Sequence, residues 1–343
     1  YPDWVQNWNG QRQAEKYAGT KWQLSSEIST YLLAEQDDRP YEMDLKGYGR
    51  TFPHPFGEGG NKLLFTQLMA SPIGDRLLLD FSKALIINEQ LGRDTVPDYL
   101  SVSFSGVDVI NHFFGPSSLE AEDNVLRIDR LLADLFRFID DQVGLDQTLI
   151  IVSADHGMCE APEYMQSLGF EVGRQTSETI VKGTIKNALK DRLGVPGEVI
   201  RLYEHPYVYL NEEEIKKTKY RVAEIEAAVA EEIIKIPGII GAVTRTDLLK
   251  GAFAPTPVNM TILNNFNLKR SGHVHVIADQ FWYFYYQMET TEEIAAIHGA
   301  PWKYDTYVPI FFAGYGIPSQ RIARPVTPYD IAATIATCLE IKP

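Results

Sequence analysis

The chain is poor in cysteine, in basic residues relative to acidic ones, and in long hydrophobic runs. Its two cysteines, Cys159 and Cys338, are too few for a disulfide framework and lack the spacing of a zinc-binding motif, and the sequence leaves open whether they are bridged. Lysine and arginine number 32 against 46 acidic residues, and the net charge of -14 argues against nucleic-acid binding through a general basic surface. The apolar runs are too short to predict a membrane span.

Histidine is also scarce, and its distribution is uneven. Three of the seven histidines lie in three strings that also contain aspartate, SGVDVINHFFG, IIVSADHGM and IHGAPWKYD. The first two strings follow runs typical of buried strands, YLSVSFS and TLIIVS. Open α/β sheets place their chemistry at the carboxyl ends of strands. The candidate metal ligands are therefore Asp108, His112, Asp155, His156 and His298.

The order of the predicted elements favours an α/β fold. Apolar residues at helical spacing predict a helix over 71–92. Strands are predicted at 99–105 and 149–153, with a long helix between them that has Ser117 and Glu120 at capping-box spacing. This strand–helix–strand order predicts a mainly parallel sheet between helices.

Residues 169–291 differ in character and are predicted to form an inserted α+β subdomain between two core segments, 1–168 and 292–343. Helices are predicted at 182–194 and 212–235. Strands of the insert are predicted at 198–204, 239–245, 258–264 and 273–279, and the aromatic run 281–286 is predicted to be a core strand.

The second core segment begins close to His298. It continues with a strand predicted at 308–314 and ends with a helix that starts at Thr327 and Pro328.

The types and spacing of the candidate ligands point to metal chemistry. Asp108 and His112 are one helical turn apart, so a helix beginning here would present both to the same point. Asp155 and His156 are adjacent at a strand end, and Gly157 after them allows a close backbone approach or an unusual turn. Oxygen and nitrogen donors without thiolates suit Zn²⁺, and also Mn²⁺ or Co²⁺. Two such ions can stabilise the attacking and leaving oxygens of a displacement at phosphorus.

Several motifs together resemble a known group of enzymes. SFSGVDVINHFFGPSS, LIIVSADHGM and HGAPWKYDTYVPIFFAG resemble the alkaline phosphatase superfamily, and the ending TPYDIAATIATCLEI is similar to its closing helix. The resemblance is strongest to the monomeric, broad-specificity bacterial alkaline phosphatases, which are related to the type I phosphodiesterases and nucleotide pyrophosphatases. The segment after His298 is more similar to the monoesterase branch.

This resemblance implies a fold, a reaction and a ligand set. The fold would be alkaline-phosphatase-like, and the reaction would be the hydrolysis of small phosphate monoesters through a phospho-enzyme. Asp108, His112 and His298 would hold one Zn²⁺, and Asp155 and His156 would hold a second, with Mn²⁺, Co²⁺ or Mg²⁺ as substitutes. The resemblance also implies a periplasmic or secreted protein, without a nucleic-acid or membrane partner.

The sequence also departs from the family pattern. Upstream of Asp108 we find neither the threonine nucleophile nor the further aspartate ligand of the family, and neither its asparagine nor its Lys-Asp-Arg segment. The opening YPDWVQNWN resembles a family segment that follows all of them. We therefore expect the chain to correspond to the C-terminal part of a phosphatase, with five metal ligands, no catalytic nucleophile, and no activity in isolation.

Alternative interpretations remain open at this point. The same ligands serve phosphodiesterases, nucleotide pyrophosphatases, sulfatases and phosphomutases. The chain could also be a non-catalytic metal-binding fragment, or a divergent hydrolase that uses water or a serine such as Ser103 or Ser105. His273 and His275 could hold a metal, but no carboxylate or third histidine accompanies them nearby, which favours a structural role.

Overall fold

The computed structural model describes residues 1–176, 180, 184–285 and 294–342. Its α-helices are α1 (Asp3–Gly10), α2 (Leu64–Met69), α3 (Pro72–Asn88), α4 (Gly106–Phe114), α5 (Leu119–Gln142), α6 (Pro162–Ser167), α7 (Lys186–Leu193), α8 (Glu212–Lys216), α9 (Val222–Ile233), α10 (Arg245–Lys250), α11 (Pro257–Asn265), α12 (Lys303–Thr306) and α13 (Tyr329–Cys338). Its strands are β1 (Lys21–Trp22), β2 (His54–Pro55), β3 (Leu149–Ser153), β4 (Arg174–Thr176), β5 (Ile200–Glu204), β6 (Tyr207–Leu210), β7 (Ile239–Thr244), β8 (Val274–Ala278), β9 (Tyr283–Tyr285) and β10 (Ile310–Gly314).

The chain packs as two compact units. The first unit contains residues 1–155 and 308–343, and the second contains residues 156–307. The predicted insert, 169–291, lies within the second unit, and its boundaries as a domain remain a prediction. Among the described helices, none combines the length and the apolar character that a membrane-spanning helix needs.

The first unit is built mainly on helices. In α3, Leu79 and Ile86 pack against Leu131 and Leu135 of α5. The helix predicted over 71–92 is confirmed as α3. It begins after Ser71 because the Ser71 side chain accepts a hydrogen bond from Ile73 N and proline occupies the first turn. β3 and β10 form a two-stranded antiparallel sheet.

The second unit contains a four-stranded sheet in the order β5-β6-β8-β7, and all of its neighbouring strands are antiparallel. Ile225, Val229 and Ile233 of α9, spaced one helical turn apart, lie in the large core cluster that also contains β8 residues. β5 and β6 are joined by the two residues His205 and Pro206, a connection that brings consecutive strands back antiparallel.

The α/β class is confirmed, but the predicted parallel pairing is not seen for most strands. Of the described pairs, β4 with β9 is the parallel one. The expected βαβ unit does not form because residues 99–105 are not a strand, and Tyr99 and Leu100 are exposed. A strand requires hydrogen bonds from a neighbour, and among the described residues no strand pairs with this segment.

Two further local predictions are wrong for identifiable reasons. Residues 258–264 lie in α11 rather than in a strand, since Thr256 caps the helix through Asn259 N and Pro257 occupies its first turn. The cap of α5 is Ser118, which accepts from Ala121 N at 3.1 Å, rather than Ser117. Glu120 does not complete a capping box, because its side chain contacts His54.

The remaining predictions for helices and strands are confirmed where the structure describes them. β3, β5, β7, β8 and β10 match predicted strands, and α13 matches the closing helix. The charged run 212–235 forms two helices, α8 and α9, and α7 lies in the predicted helix 182–194, whose residues 182 and 183 are outside the described residues. β9 lies in the aromatic run 281–286, of which residue 286 is also outside them.

Asp123 of α5 provides a test of the packing in the first unit. This fully buried carboxylate accepts hydrogen bonds from Trp22 Nε1 (2.7 Å), Tyr31 Oη (2.6 Å), Ser25 N (2.8 Å) and Arg127 Nε (2.6 Å). Substitution Asp123→Ala would leave buried donors without an acceptor, each costing about 1–3 kcal/mol. We expect the free energy of unfolding in urea to fall by about 3 kcal/mol or more. Asp129→Ala, at an exposed position of α5, is the control.

The same residue predicts an acid-dependent loss of stability. Burial would raise the pKa of Asp123, but the hydrogen bonds it accepts outweigh burial and hold the pKa below its ordinary value of 3.8. The folded-state pKa is thus depressed, so the contribution is present above about pH 4 and is lost as the pH falls through the folded pKa. Unfolding measured from pH 5 to pH 2 should show a weaker acid dependence in Asp123→Asn. Equal slopes in both proteins would contradict the assignment.

Candidate metal centre

The first part of the candidate centre is on α4, in the first unit. Asp108 lies in the first turn of this helix and His112 one turn later, and Asp108 Oδ1 is 3.4 Å from His112 Nε2. Ile110 and Phe114, on the other side of the helix, are fully buried in the core. The predicted helix after the SFS segment is confirmed, and it presents both side chains to the same point.

The separation of these two ligand atoms is suited to a shared ion. Two ligands that bind Zn²⁺ tetrahedrally at 2.0–2.1 Å lie about 3.3 Å apart. The observed 3.4 Å between Asp108 Oδ1 and His112 Nε2 matches this spacing, and both side chains are partly accessible to solvent, at 36% and 20%. The helix alone therefore sets the ligand spacing of half a tetrahedral site.

Asp155 lies just after the end of β3, where the sequence analysis placed it, and its side chain is exposed. Neither Asp155 nor His156 belongs to a group of three described ligands whose donor atoms approach within 4.8 Å of one another. The structure thus confirms the strand-end position of Asp155, and its role as a ligand stays a prediction.

The second unit brings His156 and His298 together. Their imidazole rings stack with centroids 3.5 Å apart and an interplanar angle of 15°. His156 Nδ1 is 2.8 Å from the carbonyl oxygen of Gly157, which can only accept, so Nδ1 carries a proton, and in the neutral ring the lone pair is on Nε2. A backbone hydrogen bond at one ring nitrogen is the usual way in which a metal-binding histidine is oriented.

Backbone contacts hold the two histidine segments in place. Gly157 N donates to Asp305 O at 2.7 Å, and Cys159 N donates to Ile297 O at 3.0 Å. A Cβ atom on Gly157 would lie 1.9 Å from Tyr304 O, so only glycine allows this approach. The close approach expected at Gly157 is therefore present in the structure.

Two side chains that the sequence analysis did not single out support the segment around His298. Asp305 is buried, its Oδ2 accepts a hydrogen bond from Ala300 N at 2.7 Å, and burial raises its pKa to about 6. Arg174 donates to the carbonyl oxygens of Ile294 (3.0 Å) and Ala295 (2.8 Å). Asp305 and Arg174 both contact backbone groups, and no sequence motif marks such contacts. The aspartate in IHGAPWKYD was a possible signal for the role of Asp305.

Arg174 is itself fixed by three contacts within the second unit. It donates two hydrogen bonds to Glu163, at 2.7 and 2.8 Å, and lies over the ring of Tyr283. Guanidinium–carboxylate pairs with two parallel hydrogen bonds are strong and geometrically specific. The chain before His298 is thus held by a rigid side chain.

The other candidates are placed in structural surroundings. His273 Nδ1 accepts from Leu210 N at 3.0 Å, and its Nε2 is 3.1 Å from Glu212 Oε1. His275 is buried against Tyr207. These contacts support the structural role expected for the pair. The two cysteines are free thiols, Cys159 buried and Cys338 exposed.

Comparison with known proteins identifies the family of this chain. Residues 8–301 match the family described as type I phosphodiesterase / nucleotide pyrophosphatase, so the chain belongs to that family. This family is part of the alkaline phosphatase and phosphodiesterase superfamily, to which the chain therefore also belongs.

Individual relatives refine this placement. The chain is 32% identical to alkaline phosphatase PhoV of Synechococcus elongatus over 99% of its own length and 60% of the relative, and 30% identical to a calcium-transporting ATPase of Myroides odoratus over 99% and 62%. Its fold matches the crystal structure of alkaline phosphatase PafA with a TM-score of 0.88 and 26% identity, covering 100% of this chain and 64% of PafA. The resemblance and the alkaline-phosphatase-like fold are confirmed, and the chain spans about 60% of the length of these curated relatives.

The contact at Gly157 yields a test of the second unit. In Gly157→Ala the new methyl group would push residue 157 away from Tyr304, and overpacking of this kind costs about 1–3 kcal/mol. We expect the free energy of unfolding in urea to fall by that amount. The matched control is Gly173→Ala, where the nearest atoms to a Cβ belong to Trp282 at 3.5 Å, an ordinary contact. Equal stability of the two variants would show that this approach is not close in solution.

Proposed function

We propose that the chain is part of a metal-dependent alkaline phosphatase that hydrolyses small phosphate monoesters. Asp108, His112 and His298 would hold one divalent ion, and Asp155 and His156 would contribute to a second. The observation that carries the proposal is the 3.4 Å spacing of Asp108 Oδ1 and His112 Nε2 on one face of α4. The named alkaline phosphatases among the relatives support the reaction class.

The donor atoms fit a zinc ion. They are carboxylate oxygens and imidazole nitrogens without a thiolate, which suits Zn²⁺ and also accommodates Mn²⁺, Co²⁺ or Mg²⁺. The backbone acceptor at His156 Nδ1 leaves the lone pair on Nε2, the form of the ring that a metal requires.

The chemistry follows from the charge of the chain and of its substrate. A bound divalent ion would supply positive charge that polarises the phosphoryl group and stabilises the leaving oxygen. The chain itself carries a net charge of -14, so a phosphate dianion needs such local positive charge. Asp108 and His112 would fix this charge at the surface of α4, and the loop held by Arg174 and Asp305 would orient His298.

A monoester substrate is favoured over a diester by the segment after His298, which resembles the monoesterase branch. The second candidate is a phosphodiesterase or nucleotide pyrophosphatase, since the family description names these activities. We place the protein in the periplasm or outside the cell, by the same resemblance. We further propose that no residue of this chain is the nucleophile.

Metal binding tests the ligand set. We expect the purified chain to bind about one Zn²⁺ tightly, because a carboxylate and two imidazoles complete three positions of a tetrahedral site. Asp108→Asn, His112→Ala and His298→Ala should each lose this ion in a competition titration with a chromogenic chelator. His273→Ala serves as the control, since its ring contacts Leu210 and Glu212. Tight zinc in all three ligand variants would overturn the assignment.

Ligand binding tests the substrate class. With zinc present, phenyl phosphate should raise the melting temperature of the chain more than diphenyl phosphate or phenyl sulfate, because the dianion interacts more strongly with a cation. Asp108→Asn should abolish the difference. A larger effect of the diester would favour the phosphodiesterase alternative.

Hydrolysis of an aryl phosphate by the chain in excess Zn²⁺ should not exceed the rate in buffer. Ser103 and Ser105, whose Oγ atoms are 3.4 Å apart, are the alternative nucleophiles to examine. Turnover that disappears in Ser103→Ala or Ser105→Ala would show that a nucleophile lies within these residues.

A further inference from the structure

We propose that Asp75 of α3 is a positioning residue for the ligand pair Asp108 and His112, a role that rests on the proposed metal site. Asp75 Oδ1 accepts a hydrogen bond from Gly106 N at 3.0 Å. Gly106 is the first residue of α4, and Asp108 follows two residues later in the same turn. Asp75 thus reaches the start of the helix that carries both ligands.

The amide of Gly106 needs an acceptor from outside its own helix. The first four N–H groups of an α-helix have no partner within the helix. Ser105, at the cap position of α4, makes no side-chain hydrogen bond to it, so the acceptor comes from α3 instead. A carboxylate at a helix N-terminus is also favoured by the helix dipole.

The contact is tight as well as hydrogen-bonded. Asp75 is 3% exposed, and a Cβ atom on Gly106 would lie 2.4 Å from Asp75 Oδ2 and 2.9 Å from Cγ. The carboxylate therefore lies directly against the backbone of Gly106. The position of this backbone is limited by van der Waals contact on the same side as the hydrogen bond.

Burial makes this carboxylate costly, which argues for a role beyond packing. Desolvation raises the pKa of Asp75 to about 6, and Asp75 Oδ2 is a buried oxygen without a hydrogen-bond partner among the described residues. An apolar side chain of similar size would avoid this cost. A role in ordering the adjacent turn of α4 would explain why a carboxylate occupies this buried position.

The far end of α4 has its own anchors. Ile110 and Phe114 are fully buried, and Met43 N donates to Phe113 O at 2.8 Å. These contacts hold the C-terminal half, and helix ends without such contacts fray first. The contact with Asp75 is the corresponding anchor at the N-terminal end, beside the turn that contains Asp108.

Zinc affinity and hydrogen exchange of the whole chain test this role. Asp75→Ala should raise the zinc dissociation constant at least about tenfold, as loss of a residue that orients ligands usually does. Asp75→Asn keeps an acceptor oxygen for Gly106 N and should stay within about threefold of wild type. Asp80→Ala, on the exposed side of α3 beside Arg76, is the matched control and should leave affinity unchanged. Amides in the first turn of α4 should exchange faster in Asp75→Ala, and those near Phe114 should not.

A second substitution covers the case in which Asp75→Ala unfolds. Gly106→Ala places a methyl group against the carboxylate and should weaken zinc binding, and Asp75→Asn should not relieve this clash. In a folded Asp75→Ala background, Gly106→Ala should lower zinc affinity by a smaller factor, because the carboxylate that clashes with the methyl group is gone. Zinc affinity of Gly106→Ala equal to that of wild type would overturn the proposal, whether or not Asp75→Ala folds.

The outcomes separate this inference from the proposed function. If Asp108→Asn abolishes zinc binding while Asp75→Ala and Gly106→Ala bind as wild type, Asp75 does not position the ligands and the metal site stands. If wild type binds no zinc, or binds it equally well in Asp108→Asn, the proposed site fails and the role of Asp75 fails with it. Weaker binding in Asp75→Ala, with near-normal binding in Asp75→Asn and Asp80→Ala, supports the proposal.

Discussion

The division of α4 into two faces is the constraint on which the candidate site depends. A metal site needs its ligands ordered before the ion arrives, because each freely rotating side chain would lose entropy on binding. Ile110 and Phe114 are buried without exposed area, which fixes the rotation of the helix about its axis. Asp108 and His112 then lie on the opposite, partly exposed face at a separation set by the helical repeat. The core packing of the first unit therefore also determines the geometry of Asp108 and His112.

The first unit also contains buried acids that are stabilised in different ways. Burial and the nearby charge of Glu120 raise the pKa of Glu42 to about 9, and burial raises the pKa of Glu120 well above its ordinary value. Burial also lowers the pKa of His54 to about 4, and His54 Nε2 lies 3.0 Å from Glu120 Oε1. Asp123 remains charged because four donors surround it. The number of donors, rather than the depth of burial, decides which acid keeps its charge.

The sequence was informative where a structure depends on local signals. Apolar residues at helical spacing predicted α3, and the spacing of Asp108 and His112 predicted their shared face. Residues 99–105 have the composition of a strand, but strand formation depends on a neighbour that composition cannot reveal. The β-branched residues in 258–264 favour a strand, but Thr256 and Pro257 before them cap and start a helix. Asp75 and Asp305 contact backbone amides distant in the chain or in a loop, and such contacts leave no pattern in the sequence.

The five proposed ligands are positioned in three different physical ways. This explains why some of their positions are easier to predict from the sequence than others. Asp155 and His156 are neighbours across one peptide bond, so their Cα atoms are about 3.8 Å apart in any fold. Asp108 and His112 are related by the helical repeat, which requires only that α4 form. His298 follows a chain segment held by Arg174 and precedes one held by Asp305, and its ring stacks on His156. Its position therefore depends on tertiary contacts within the second unit, and a substitution at Arg174 or Asp305, outside the ligand set, is expected to move it.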